Sequence, residues 1–119
     1  MQPRVITFSK NVFLPLTTVC RNRCGYCSFR NPPGAGCLLT RGEVEGTLRH
    51  GAAMGCTEAL FTFGERPEEE PGFLPYLEIV GYPTILDYCE AMCRESIEYG
   101  ILPHTNAGIL TPDEMEHLR

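Results

Sequence analysis

Three runs of apolar and β-branched residues stand out along the chain, at residues 12–19, 58–63 and 100–106. Their length and composition are typical of buried β-strands. Pro15 and Pro103 interrupt the first and third runs, and proline is poorly suited to a sheet because it has no amide hydrogen to donate. The pattern predicts three strands, although the prolines count against the first and third.

A helix-start signal follows each predicted strand. Residues 40–43, 84–87 and 111–114 all read Ser/Thr-x-x-Asp/Glu, the capping box in which a hydroxyl and a carboxylate each accept from the other residue's backbone amide. Gly55 and Gly100 indicate where the first two helices end, because glycine readily adopts the left-handed conformation that closes a helix. The repeated strand–helix order predicts parallel strands joined by right-handed crossovers.

These elements indicate an α/β fold. Three βα units are too few to close a parallel barrel, which takes about 250 residues, and the chain has 119. We therefore interpret residues 1–119 as the N-terminal part of a larger (βα) barrel of the TIM type, without its remaining units. Such a part would expose an apolar sheet face and unpaired strand edges.

Composition and charge exclude several functional classes. The chain has 15 acidic against 10 basic residues and a net charge of −5, which argues against non-specific binding to nucleic acid or to an anionic membrane surface. It has no apolar run long enough for a membrane span and no signal-peptide core, so we expect a cytoplasmic protein with reduced thiols. The odd number of cysteines, 7 in all, then favours metal ligands over a disulfide framework.

The main chemical signal is a group of three cysteines just after the first predicted strand. Cys20, Cys24 and Cys27 have the spacing C-x3-C-x2-C, so their thiolates can converge on one metal centre. Structural zinc sites and iron–sulfur clusters usually have four protein ligands. A set of three predicts a centre with one open position, and a structural zinc site or an electron-transfer cluster remains the alternative.

This spacing, with an aromatic residue just before the last cysteine, resembles the signature of the radical S-adenosylmethionine enzymes. The resemblance implies that Cys20, Cys24 and Cys27 hold a 4Fe-4S cluster whose open iron binds S-adenosyl-L-methionine. It also implies reductive cleavage to a 5′-deoxyadenosyl radical, which abstracts a hydrogen from the substrate. Tyr26 occupies the position at which that superfamily packs an aromatic side chain near the adenine.

The ends of the second and third strands provide further candidate cofactor-binding residues. Gly64 and Glu65 partly resemble the Gly-Gly-Glu motif that receives the methionyl amino group in that superfamily, with Phe63 replacing the first glycine. Thr105 and Asn106 can donate and accept hydrogen bonds, which suits a ribose or a substrate amide. Each pair is also compatible with a simple strand-ending turn. We interpret the neighbouring His104 as structural, and the sequence indicates no catalytic residue.

Further segments resemble one branch of the superfamily, the deazaflavin-forming synthases. The matching segments lie at residues 9–17, 20–27, 29–30, 59–65 and 102–106. The resemblance implies cyclisation of a tyrosine-derived hydroxybenzyl–ribitylaminouracil adduct with loss of ammonia. It implies as partners a small-molecule substrate, an electron donor and a companion radical enzyme that transfers the hydroxybenzyl group. A radical enzyme of biotin, menaquinone or thiamine biosynthesis, or a non-enzymatic iron–sulfur or zinc module, remains an alternative.

The remaining polar features have simpler interpretations. Arg21, Arg23 and Arg30 surround the cysteine motif. They could stabilise a negatively charged cluster, bind a carboxylate or a partner protein, or act as ordinary surface cations. Residues 66–72, rich in Pro and Glu, are interpreted as a solvated loop, and residues 73–80 as a short helix.

The other cysteines are not expected to bind metal. Cys89 and Cys93 share the apolar face of the second predicted helix, where free cysteine behaves as a small hydrophobic residue. Cys37 lies in a Pro- and Gly-rich loop, in which we expect it to be exposed.

Overall fold

The structure, a computed structural model, describes residues 1–119. Its centre is a sheet of three parallel strands in the order β1-β2-β3. The sheet confirms the predicted α/β class with parallel strands, and it is not closed into a barrel. The strands are β1 (Asn11–Thr17), β2 (Glu58–Phe63) and β3 (Leu102–Asn106).

The second predicted strand has the expected bounds, whereas the first ends two residues early and the third begins two residues late. Pro15 and Pro103 lie within β1 and β3. Both strands pair only with β2, so each proline lies in an edge strand, where a missing amide hydrogen is tolerated.

Four α-helices and a short 3-10 helix connect and flank the strands. They are α1 (Arg41–Ala53), the 3-10 turn (Pro67–Glu69), α2 (Leu74–Val80), α3 (Ile85–Glu98) and α4 (Pro112–Leu118). The additional helix predicted at residues 73–80 is confirmed and begins one residue later. No helix has the length and apolar character needed to cross a membrane.

The predicted capping boxes are complete at two of the three sites. Thr40 with Glu43 and Thr111 with Glu114 form both reciprocal hydrogen bonds. Asp87 also donates its amide to the Thr84 hydroxyl, but its carboxylate accepts from that hydroxyl at 2.6 Å instead of from the Thr84 amide.

The two faces of the sheet have different environments. Ala59, Phe61 and Phe63 of β2 are buried in the hydrophobic core, on the face covered by α1 and α3. The alternating residues of the same strand are only half-buried, because no element of the chain covers that face. The open face also carries Phe13 and Leu102, which are 54% and 58% exposed.

An ion pair attaches α4 to the segment after β2. The Arg66 guanidinium donates to both carboxylate oxygens of Glu114, at 2.6 and 2.9 Å. This bidentate pairing, together with the capping hydrogen bond from the Thr111 amide, lowers the pKa of Glu114 from 4.5 to about 2.

We expect this pair to make stability depend on pH in the acid range. A carboxylate whose pKa is lowered by folding stabilises the native state fully above its ordinary pKa and loses that effect as the pH falls towards its folded pKa. The free energy of unfolding of the unsubstituted chain, measured in urea, should therefore fall more steeply below pH 4.5 than that of Glu114→Gln. Glu116→Gln, which removes an exposed carboxylate of the same helix, is the control. Equal pH dependence in all three proteins would contradict the assignment.

Candidate metal centre and cofactor site

The carboxyl ends of the three parallel strands meet at one edge of the sheet, and the cysteine loop (residues 18–30) begins there. The loop is closed at its base, where the Asn31 amide donates to the Thr18 carbonyl at 3.1 Å. The register of β1 shifts between Pro15 and Thr17, and such a bulge redirects the side chains that follow it. The Thr17 hydroxyl donates to the Cys37 carbonyl at 2.6 Å and accepts from the Val19 amide at 3.1 Å.

The three cysteines of this loop are free thiols that differ in exposure. Cys24 and Cys27 are exposed, whereas Cys20 is half-buried. The Cys27 amide donates to the Cys24 carbonyl at 3.1 Å, which makes a tight turn. The Cys20 Sγ accepts from the backbone amides of Glu65 at 3.2 Å and Asn22 at 3.4 Å.

This donor set fits an iron–sulfur cluster. Soft thiolate ligands select iron–sulfur clusters, zinc or Cu(I), and backbone N–H groups directed at a cysteine sulfur help to set a cluster's potential. Cys20 is therefore held against the end of β2, while the other two thiols remain accessible from solvent.

Gly64 is required for the close approach of the cysteine loop to β2. A Cβ at this position would lie 1.9 Å from the Val19 carbonyl oxygen and 2.6 Å from the Cys20 Cβ. The sequence predicted that Gly64 lets the backbone approach a ligand. In the structure the nearest neighbours of Gly64 are Val19 and Cys20 of the cysteine loop, and its approach to a ligand stays a prediction.

Glu65 is buried, and its carboxylate is already hydrogen-bonded within the chain. One oxygen accepts from Arg21 Nε and Asn22 Nδ2, both at 2.9 Å, and the other accepts from the Ile109 amide at 3.0 Å. The Ile109 amide, followed by the Arg21 guanidinium and the Asn22 amide group, lowers the pKa of Glu65. The sequence predicted a free acceptor for an ammonium group, whereas the structure shows a carboxylate with donors from two loops.

The segment at residues 66–72, predicted to be a solvated loop, is only partly exposed and contacts the cysteine loop. Its glutamates form ion pairs with the three arginines near the cysteines. These pairs are Arg21–Glu69 at 3.2 Å, Arg30–Glu70 at 3.1 Å and Arg23–Glu70 at 3.7 Å. Each of the three arginines therefore has an acidic partner, although Arg23 and Arg30 share Glu70 and the Arg23 side chain is 71% exposed.

Tyr26 lies on the outside of the cysteine loop and is 92% exposed. A hydrogen bond to Cys24 raises the pKa of its phenol. The structure thus places Tyr26 beside the cysteine thiols but packs it against nothing else, and its role near an adenine stays a prediction.

Thr105 and Asn106 point to opposite faces of the sheet. Asn106 is paired with Thr62 on the open face, and the buried Thr62 hydroxyl has no hydrogen-bond partner. Thr105 is paired with Phe61, so it faces the helix layer, where its hydroxyl lies 3.7 Å from the Cys93 Sγ. The structure therefore does not group Thr105 with the other predicted cofactor-binding residues. His104 lies on the open face, with its Nε2 3.3 Å from Glu58 Oε1.

The remaining cysteines of the core are packed as small hydrophobic residues. Cys89 is fully buried with its Sγ 4.0 Å from that of Cys93, and the hydrogen bond to Cys93 and burial raise the pKa of Cys89. Cys37 is also buried, at 8% exposure, so the expectation that it is exposed is wrong.

Sequence reasoning missed three groups that surround the site. Asn22 and the Ile109 amide both bind the Glu65 carboxylate, and Glu70 pairs with two arginines of the cysteine loop. For the Ile109 amide the sequence offered one local signal, the preceding Gly108, because glycine after a strand often permits a tight turn. A cavity of about 580 Å³ lies next to α3 and α4. Its lining includes Glu69 and Ile109, which also contact the site, but none of the three cysteines of the loop.

The sequence was compared with protein families, curated proteins and solved structures. No protein-family model and no solved structure matches the chain. Among curated proteins, similar relatives are named 7,8-didemethyl-8-hydroxy-5-deazariboflavin synthase. Those of Methanoregula boonei and Methanosphaerula palustris are 72% and 63% identical over the whole chain, and that of Methanosarcina mazei is 53% identical over 96% of it.

The matches cover the chain almost completely but the relatives only in part. The chain spans about a third of the length of these synthases, 36% for the two most similar of the three. Identity of this degree over at least 116 residues indicates common ancestry and a shared fold for the matched part. The whole chain is therefore homologous to a segment that makes up about one third of the length of the 7,8-didemethyl-8-hydroxy-5-deazariboflavin synthases.

Proposed function

We propose that this chain is the cluster-binding part of a radical S-adenosylmethionine enzyme that forms 7,8-didemethyl-8-hydroxy-5-deazariboflavin, in the biosynthesis of coenzyme F(420). The observation that carries the proposal is the cysteine loop, in a chain 72% identical to a synthase of that name. The chain covers 36% of that relative. Because the cysteine loop follows the first strand and only three βα units are present, we infer that the chain is the N-terminal part of the radical enzyme's core domain, a partial (βα) barrel.

The proposed cofactors are one 4Fe-4S cluster and S-adenosyl-L-methionine. Cys20, Cys24 and Cys27 would hold the cluster, whose fourth iron is left for the amino and carboxylate groups of S-adenosylmethionine. When bound, the pair supplies a 5′-deoxyadenosyl radical that removes a hydrogen atom from the substrate.

The position of the site supports this role. Active sites of parallel (βα) folds form at the carboxyl ends of the strands. All the predicted cofactor-binding residues lie there or in the cysteine loop, although the Thr105 side chain faces the helix layer. The Glu65 amide directed at the Cys20 Sγ, at 3.2 Å, is the kind of donor that stabilises a ligating thiolate.

The proposed substrate is the adduct of a tyrosine-derived hydroxybenzyl group with a ribitylaminouracil, and ring closure releases ammonia. Its polar ribityl and uracil groups would bind on the open sheet face, where the exposed side chain of Asn106 can form hydrogen bonds. An electron donor would reduce the cluster, and a companion radical enzyme would deliver the adduct.

A chimeric synthase provides the experiment. This chain replaces the matching 119 residues of the Methanoregula boonei protein, and the chimera is reconstituted anaerobically with iron and sulfide. It is then supplied with the adduct, S-adenosylmethionine and dithionite, and products are followed by mass spectrometry. The matched control is the same chimera carrying Cys24→Ala.

We expect the chimera to release the deazaflavin and 5′-deoxyadenosine, and the control to release neither. A folded chimera that cleaves S-adenosylmethionine without converting the adduct would contradict the proposed substrate and favour another radical enzyme. Stoichiometric zinc with no cluster would contradict the proposal altogether.

A further inference from the structure

We propose that Glu65 is a positioning residue that joins the cysteine loop to the loop between β3 and α4, rather than a group that receives the cofactor directly. The inference depends on the proposed function for the identity of the bound cluster. Glu65 is 8% exposed, and each of its polar atoms, in the backbone and the side chain, has a partner within the chain.

On one side, Glu65 holds the cysteine loop by four hydrogen bonds. Its amide donates to the Cys20 Sγ at 3.2 Å, and its carbonyl accepts from the Arg21 amide at 2.9 Å. Its carboxylate accepts from Arg21 Nε and Asn22 Nδ2, each at 2.9 Å. Three consecutive residues that begin with a proposed cluster ligand are thus fixed to the end of β2.

On the other side, Glu65 holds the loop after β3. The Ile109 amide donates to Oε1 at 3.0 Å. Gly108 has φ +72°, and a Cβ there would lie 3.1 Å from the Glu65 Cβ and 3.2 Å from Oε1. A side chain at position 108 would therefore crowd Glu65 in a backbone conformation that glycine adopts most easily, so this loop fits closely around the carboxylate.

These contacts leave little capacity for a further ligand. An ionised carboxylate offers about four acceptor positions, and three are filled by donors from two loops. A buried carboxylate held by charge-assisted hydrogen bonds is a strong and directional anchor. We infer that it fixes the orientation of Cys20, and that the loop after β3 supports it from the far side.

The test measures how fast iodoacetamide alkylates Cys20 in the cluster-free chain, relative to the exposed Cys24 of the same molecule, by mass spectrometry. The variants are Glu65→Gln, Arg21→Met and the double substitution. Arg21→Met is the most informative, because losing a nearby cation alone disfavours the thiolate and would slow the reaction. A faster reaction therefore reports that Cys20 is less well held. Glu45→Gln, which removes a partner of Arg41 on α1, is the control.

We expect each single substitution to raise the alkylation rate of Cys20, relative to Cys24, about tenfold. This factor corresponds to the free energy lost with one hydrogen bond to a charged group. The double variant should exceed the larger single effect only slightly, because both residues act through one contact. Unchanged rates, or a slower reaction in Arg21→Met, would overturn the inference. If Glu65→Gln does not fold, Asn22→Ala provides the same comparison with a smaller expected increase, and no increase would count against the proposal.

A cluster readout separates this inference from the proposed function. In the reconstituted chain, Arg21→Met should release iron to a chelator several-fold faster than the unsubstituted chain does, before any S-adenosylmethionine is added. Equal release rates would contradict the positioning role. Failure of the unsubstituted chain to take up a cluster would contradict the proposed function, while the alkylation result would still test the role of Glu65.

Discussion

Replacing Cys20, Cys24 or Cys27 with alanine is expected to abolish cluster binding in each single variant. Three thiolates are already one fewer than the usual set for a four-iron cluster, and removing another leaves a second iron without a protein ligand. Iron and sulfide content after anaerobic reconstitution, with the visible absorbance of the cluster, measures the effect. We expect the iron and sulfide content of each variant to fall to the level found in protein that has not been reconstituted.

Two other cysteines provide matched controls. Cys56 is half-buried and outside the cysteine loop, and Cys89 is buried in the core. Cys56→Ala and Cys89→Ala should keep the cluster, although Cys89→Ala should lower stability by about 1 kcal/mol because it leaves a small cavity. Loss of the cluster in a folded Cys89→Ala protein would show that the proposed ligand set is incomplete.

Gly64→Ala is expected to prevent cluster binding without removing any ligand. The added Cβ would lie 1.9 Å from the Val19 carbonyl oxygen, so the cysteine loop must move away from β2, and the Glu65 amide then loses its contact with the Cys20 Sγ. Overpacking of this kind costs about 1–3 kcal/mol. Iron content and the free energy of unfolding, measured on the same protein in urea, should therefore both fall.

Gly46→Ala is the matched control for this substitution. Gly46 lies within α1, and a Cβ there would contact nothing within 4 Å. Alanine should stabilise that helix by about 0.5–1 kcal/mol and leave iron binding unchanged. A Gly64→Ala chain that binds iron normally would show that the cysteine loop does not depend on its close contact with β2.

Local features of the fold could be read from the sequence because they depend on neighbouring residues. The capping boxes at Thr40 and Thr111, and Gly55 after α1, involve groups within a few positions of each other. The bounds of β2 followed from a short apolar run bordered by polar residues. For β3 the sequence Leu-Pro-His-Thr-Asn has no regular alternation of apolar and polar residues, so it did not indicate which of Thr105 and Asn106 faces the helix layer.

The candidate site was predicted only in part, because only some of its contacts join residues that are close together in the sequence. The cysteine motif is local in sequence, and its spacing alone indicated three ligands. The Glu65 contacts join residues more than 40 positions apart, and no local pattern records such pairing. The glutamates at residues 68–70 had the composition of a solvated loop, but the arginines that neutralise two of them lie far away in the sequence.

Mössbauer spectroscopy of the chain reconstituted with iron-57 tests the central claim most directly. Spectra are recorded before and after addition of S-adenosylmethionine. If three cysteines hold the cluster and one iron is open, the signal of one iron per cluster should shift on addition while the other three stay unchanged. A cluster whose irons all remain unaffected, or a chain that takes up zinc and no iron, would contradict the account.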